Sequence, residues 1–386
     1  MAASDVLIVG AGPAGSIAAT VLARAGVRVR LIDRAVFPRD KLCGDTVNPG
    51  TLSELRRLGL AREIEARGVR VEGMRLTGEN GASIEARYPG ALHGRALVRR
   101  DLDSILVEQA VAAGAQFDPG VPVRRAVAGR SASGPGLAGV VVSANGQERE
   151  LRAPVTLAAD GRRSTLAFSL GLARHPQRPK RWAIGAYYQD VIALSALGEM
   201  HMRADCYIGV APVPGGLANV CLVKTLKPGD ERWPDPAGVL RRTLSQDPAL
   251  ADRFAGARLA DRAVVMGPLA VDVHDPGWPG LLLAGDAAGF IDPMTGDGLR
   301  FAVRGGVLAA NAALEALERG WDGVHERLSA ARRSEFRGKR RFNRTLRALT
   351  AWPGGVRLAT RGARLAPRLL SRLVATAGDC GLVTDD

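Results

Sequence analysis

Residues 4–33 read SDVLIVGAGPAGSIAATVLARAGVRVRLID, and this stretch decides how the chain begins to fold. Val6 to Val9 is an unbroken apolar run, which reads as a buried strand. It has no basic segment ahead of it and meets glycine at once, so a strand is expected rather than a signal peptide. The glycines of Gly10-x-Gly12-x-x-Gly15 break the run. An Ala-rich stretch with helical periodicity follows and stops at Gly26. VRVRLID then alternates and ends on Asp33. The whole predicts a βαβ unit. In such a unit Gly10 permits a tight turn, Gly12 lets a pyrophosphate approach the backbone, and Gly15 lets helix and strand pack closely. Pro13 and Ala14 complete the turn, and the helix N-terminus faces the phosphates. Asp33 stands eighteen residues after Gly15, with Arg34 beside it, where an acid accepts hydrogen bonds from ribose hydroxyls.

The 386 residues suit two domains and a tail, and 46% hydrophobic residues supply a sizeable core. No run of about 18 uncharged apolar residues crosses the sequence, so no membrane-spanning helix is expected. Cys43, Cys206, Cys221 and Cys380 are scattered without a CxxC, which argues against a disulfide framework or zinc site and for a reducing cytoplasm. The histidines form no metal-binding pattern, so no metal is expected. Helices are expected over 51–67, 101–115 and 299–319, and strands over 72–96, 121–160 and 182–270. Changes of character near 72, 97, 169 and 276 predict two interleaved domains. The first takes 1–71, 97–168 and 276–330, the second takes 72–96 and 169–275, and a basic helical region occupies 331–386.

Two further motifs each end an apolar strand with a sharp turn and an acid: Ala159-Asp160-Gly161-Arg162, with Ser164 close behind, and Gly285-Asp286-Ala287-Ala288. Asp160 alone reads equally well as a turn residue. The three motifs in this order resemble FAD-dependent oxidoreductases related to para-hydroxybenzoate hydroxylase. Within that superfamily, KLCGDTVNPGTLSELRRLGL (41–60) and VAPVPGGLANVCLV (210–223) resemble the geranylgeranyl reductase family and its menaquinone-reductase relatives. The resemblance covers about residues 4–330. It implies an α/β (α+β overall) fold: a glutathione-reductase-type Rossmann FAD domain interleaved with a mainly antiparallel β-sheet substrate domain.

The same resemblance implies roles. Gly10, Gly12, Gly15 and Asp33 match the adenosine diphosphate site. Arg99 matches an arginine that contacts FAD, with Arg100 leaving the register open by one residue. Asp160 and Gly161 match the second fingerprint, and Gly285 and Asp286 the ribityl contact. Pro293, Gly296 and Gly298 match the loop beside the isoalloxazine ring, where a helix from about Asp297 aims its amides at the flavin. Cys43-Gly44-Asp45 follows the second strand on a loop that reaches the flavin in this fold. Cys43 is expected to line the active site as proton donor or substrate contact, with Asp45 setting its protonation; the alternative is a small buried thiol. Tyr207 keeps the tyrosine of the family's YxWxFP pattern. Gly209 and Ala211 replace its large aromatics and predict a wider cavity.

Net charge is +14, and the excess is local: 332–372 holds thirteen Lys or Arg and one acid, Glu335. Arg357, Arg361, Arg364, Arg368 and Arg372 recur at helical spacing, with Leu358, Leu365, Leu369 and Leu373 on the adjacent face. That pattern fits peripheral membrane contact through 332–373 and fits packing on the body equally well. No recognised nucleic-acid module accompanies the run, so nucleic acid is the weakest partner. The leading expectation is reduction of a carbon–carbon double bond in a hydrophobic or lipid substrate, with hydride from reduced FAD. NAD(P)H binding transiently, or an electron-carrier partner, would supply electrons, since a second GxGxxG is absent. The alternatives are an NAD(P)H-dependent monooxygenase acting on an aromatic or polyketide substrate, and a flavin-holding, nucleic-acid-associated or non-catalytic protein.

Overall fold

The computed structural model describes residues 4–383 apart from 80–82, 132–133, 145, 178–180, 226–232, 275–276, 292–293, 295 and 352–366. The opening stretch forms strand β1 (Val6–Val9), helix α1 (Pro13–Arg24) and strand β2 (Val29–Ile32). β1 lies at the middle of a six-stranded sheet, parallel to β2 on one side and to Val155–Ala158 on the other. Gln116–Asp118 extends the sheet beyond β2, and Leu281–Leu283 beyond Val155–Ala158, both in parallel. Gly277–Trp278 closes that edge antiparallel. The strands are short apolar runs because both sheet faces are covered, leaving no polar face to alternate with.

The long helix Gly298–Arg319 packs against α1 through its alanines and through Gly306, where a Cβ would sit 2.5 Å from the carbonyl oxygen of Ala14. A larger residue there would push the two helices apart, and with them the turn at Gly12.

The second large sheet has eight strands, drawn from 73–87 and 181–266. Its pairs are antiparallel except where Leu197–Met202 runs parallel to Gly73–Thr77. A three-stranded sheet, Thr46–Val47, Gly94–Ala96 and Val69–Val71, follows directly on the Cys43 loop.

Two sequence expectations change. The region 182–270 is not strand throughout, because helices Pro236–Gln246 and Ala251–Phe254 interrupt it. Asp235 caps the first, accepting from Gly238 N at 2.8 Å; Pro236 stands at its start, and Leu240 and Leu244 bury one face. The expected helix over 51–67 is two, Pro49–Arg57 and Arg62–Arg67, separated where Gly59 takes φ +68°. The basic region is helical as expected, with helix Val324–Ala351 and helix Pro367–Ala377, and Pro367 stands at the start of the second. Arg357, Arg361, Arg364, Leu358 and Leu365 lie outside the described residues. Arg372 and Leu373 are exposed, whereas Val374 is buried. Among the described residues, no helix is long and apolar enough to cross a membrane.

Candidate active site

β1 delivers the chain to Gly10, whose φ of +101° is reserved in practice for glycine; a Cβ there would stand 2.6 Å from the Ala159 carbonyl oxygen. Gly12 is the N-cap of α1, in extended conformation and with no side chain capping the helix; Pro13 follows, and Gly15 lies in the first turn. The opening amides of the helix therefore have no intrahelical partner and face outward from the turn. At the end of β2, Asp33 accepts from Ala11 N at 2.8 Å and from Ala35 N at 2.9 Å. Arg34 beside it is exposed. Asp160 accepts from Thr165 N at 2.8 Å, and its buried Oδ1 has no hydrogen bond. Burial pushes this carboxyl up, against the pull of Ser164 and the Thr165 amide.

One cavity gathers most of the sequence-derived residues. Gly12, Pro13 and Ala14 line it beside Gly161, Gly285 and Asp286. Cys43, Gly44, Asp45 and Arg99 line it from another side, and Gly296 and Gly298 from a third. Tyr207 belongs to its wall, as do Gly209 and Ala211, where smaller side chains were expected to widen the space. Leu42, Met200, Met266, Leu269, Phe290 and Met294 make much of that wall apolar. Gly10, Gly15, Asp33, Asp160 and Asp297 stand behind the lining rather than on it, and the exposed Arg34 is not part of it. Pro293 lies outside the described residues.

The Cys43 loop is held by polar groups from two adjacent strands of the eight-stranded sheet. Tyr187 donates its hydroxyl to Asp45 Oδ2 at 2.6 Å, and Asn219 Nδ2 donates to the same oxygen. Asn219 Nδ2 also donates to the Cys43 carbonyl at 2.8 Å, which fixes its amide orientation because that carbonyl can only accept. Asp45 Oδ1 is buried and accepts no hydrogen bond, although the first amide of the helix Arg99–Ala112 faces the carboxyl. Burial outweighs these partners and pushes the Asp45 carboxyl up to about 7. Arg99 neighbours the Cys43 side chain. Arg99 is also bound through two nitrogens to Asp103, each at 2.8 Å, and Arg39 meets the same aspartate at 3.0 Å. Arg99 is buried and lines the cavity, whereas Arg100 is exposed.

Asp297, at the N-cap of Gly298–Arg319, makes no capping bond. Its carboxylate pairs with Lys339 at 2.8 Å and accepts from Asn343 at 3.0 Å.

Lys41, Tyr187, Asn219 and Lys339 escaped the sequence reading. Lys41 and Asn219 sit inside stretches singled out for other reasons. Tyr187 and Tyr188 are adjacent in a strand and point to opposite faces, so nothing in the order of residues says which one meets the loop.

The donor set suits FAD. Among the described residues Lys41 Nζ has neither ion pair nor hydrogen bond, yet burial and Arg99 push its pKa down, with Asp286 and Asp103 opposing. An enclosed cation short of a counter-ion, next to a helix N-terminus and an open glycine, fits an anionic diphosphate. A parallel sheet with this turn, this acid and this cavity defines an FAD-dependent oxidoreductase. Residues 3–338 match the family model described as FAD binding domain, and the chain belongs to that family.

The chain is 32% identical over 326 residues to "Menaquinone reductase" of Mycolicibacterium smegmatis, covering 80% of this chain and 75% of that protein. It is 30% identical over 321 residues to "Digeranylgeranylglycerophospholipid reductase 2" of Methanopyrus kandleri, covering 81% and 78%. Among solved structures, a flavin-dependent brominase superposes with TM-score 0.83 at 21% identity, covering 98% of this chain and 94% of that one. A geranylgeranyl bacteriochlorophyll reductase-like protein of Thermoplasma acidophilum gives 0.78 at 23% identity, covering 97% and 91%. These last two show the shared fold.

Proposed function

We propose that this oxidoreductase reduces a carbon–carbon double bond in a hydrophobic, isoprenoid or quinone-tail substrate. The observation that carries this is the joining of the Gly12–Pro13–Ala14 turn, the Cys43 loop and an apolar wall of methionine, leucine and phenylalanine in one cavity. The relatives named as menaquinone and geranylgeranyl-lipid reductases support it. FAD, when bound, supplies the hydride.

The chain's own residues do the rest. The α1 N-terminus, Lys41 and Asp286 hold the cofactor's polar groups. Leu42, Met200 and Met266 exclude water and hold the apolar substrate. Cys43 touches the cavity and stands as proton donor or substrate contact, with Arg99 beside its side chain and Asn219 on its carbonyl. Tyr207 completes the wall opposite. Residues 72–96 and 169–275 supply the substrate side of the cavity, and electrons arrive from NAD(P)H docking transiently or from a protein carrier.

The test is anaerobic. Dithionite-reduced protein is mixed with a geranylgeranyl or menaquinone-type lipid, and flavin absorbance is followed. Reoxidation with a hydrogenated product supports the reading; oxygen-dependent reoxidation with an oxygenated product replaces it by a monooxygenase.

A further inference from the structure

The C-terminal turn after helix Pro367–Ala377 lies beyond the residues matched by the family model, 3–338. It nevertheless reaches the cavity, where Ala377 is a lining residue together with Tyr88, Met74 and Asn48. Val374 and Cys380 pack with Tyr88, and a Cβ on Gly378 would meet the Tyr88 ring at 2.5 Å, so the turn is pressed against that tyrosine.

Three groups hold the turn in place. Lys339 Nζ lies 2.9 Å from the Thr376 carbonyl oxygen, 2.7 Å from that of Ala377 and 3.1 Å from Asp379 Oδ2. These are helix-terminal acceptors, which favour a cation. Asn48 Nδ2 donates to Asp379 at 3.0 Å, and Gly50 N donates to the Gly378 carbonyl at 2.9 Å. Lys339 also pairs with Asp297 at the head of Gly298–Arg319. The turn is thereby tied both to the chain just after Cys43-Gly44-Asp45 and to the helix that starts at Gly298. A tail held only by surface leucines would have no reason to bury a lysine between two acids.

From this placement we infer that the turn Thr376–Cys380 is a wall of the substrate cavity, and that the small side chain of Ala377 sets how bulky an apolar substrate the cavity accepts. The inference rests on the cavity being the substrate site. Ala377 presents one methyl group; a large side chain at that position would fill the space between Tyr88, Met74 and Asn48.

The experiment compares Ala377→Trp and Ala377→Ser with the wild-type full-length, FAD-loaded protein. Geraniol and geranylgeraniol are titrated into the oxidised protein, and binding is read from the perturbation of flavin absorbance. A methylene-scale misfit in an apolar pocket changes discrimination by roughly tenfold or more, so Ala377→Trp is expected to lower the affinity ratio of geranylgeraniol over geraniol by about tenfold. Ala377→Ser, which adds one atom at the same position, is expected to lower the ratio far less than Ala377→Trp, and a Ser variant that lowers it as much overturns the inference. An unchanged ratio in Ala377→Trp, with FAD content retained, overturns the inference. Flavin content and thermal unfolding identify a Trp variant that has lost its fold, and Ala377→Leu then takes its place. Wild-type protein that binds geranylgeraniol but fails to reduce it anaerobically overturns the reductase reading alone and leaves the wall standing.

Discussion

Tyr187 donates its hydroxyl to the Asp45 carboxyl at 2.6 Å, across the boundary between the eight-stranded sheet and the loop that carries Cys43. Asp45 is 0% exposed and takes φ +55°, so the loop bends back on itself at that residue. The carboxyl is thus a fastening between the apolar wall and the cysteine loop. The cysteine is held separately, by Arg99 beside its side chain and Asn219 at its carbonyl. Arg99 thus stands beside the same cysteine that the Asp45 loop carries.

The fastening titrates. Burial raises the Asp45 carboxyl from 3.8 to about 7, against Tyr187, Asn219 and Arg99, which pull it down. The folded protein therefore holds a proton that the unfolded chain has lost between these two values. Stability from this group falls as pH rises through that window and is level above it. Asp160 shifts in the same direction, so the comparison must be with a variant. Asp45→Asn should gain stability relative to wild type as pH is raised from acid to neutral, measured by urea midpoints across that range.

Tyr187→Phe removes one of the two donors on Asp45 Oδ2. The loss should be about 1–2 kcal/mol, in line with a buried hydrogen bond whose acceptor is left short. Because Tyr187 lowers the Asp45 pKa, its removal should also move the pH window upward. Urea unfolding at several pH values measures both effects.

Lys339→Met should destabilise the protein by roughly 3–5 kcal/mol, because it leaves buried acids without their cation. Asp297 and Asp379 both lose the ammonium between them, while Asn343 still meets the first and Asn48 and Arg300 the second. Adding Asp379→Asn should recover part of the loss, and a double-mutant cycle measured by denaturant midpoint reads the coupling.

Lys41→Met separates binding from stability. The flavin-free variant should be as stable as wild type or more so, since an enclosed cation short of a counter-ion is removed. Its FAD dissociation constant should rise by about tenfold or more, the scale of one charge-assisted hydrogen bond. Calorimetric titration of FAD into apoprotein, beside thermal unfolding, checks the pair.

Much of the fold was legible because its signals are local. Val6–Val9, Gly10, Gly12, Gly15 and Asp33 fall within one short stretch, and strand, turn, helix and acid each have their own chemistry. The motifs at Asp160 and Asp286 were legible for the same reason. The helix at 236–246 was missed because its evidence is a cap and two buried leucines, too little to outweigh a strand-rich neighbourhood. The partners of Asp45 were not legible at all. Tyr187 and Asn219 come from adjacent strands more than a hundred residues away, and only the antiparallel register, which pairs Tyr187 with Asn219, brings both side chains to the same oxygen. The role of the C-terminal turn was hidden likewise, since amphipathic helices look the same whether they meet a membrane or the body.

The most direct test follows the flavin itself. FAD-loaded protein is reduced with dithionite in the absence of oxygen and mixed with geranylgeranyl and menaquinone-type lipids, and flavin absorbance is recorded beside the mass of the product. The account predicts reoxidation without oxygen and a lipid heavier by one hydride and one proton, with slower reoxidation in Cys43→Ser. A flavin that stays reduced until oxygen is admitted, and a product that has gained an oxygen atom, would contradict it.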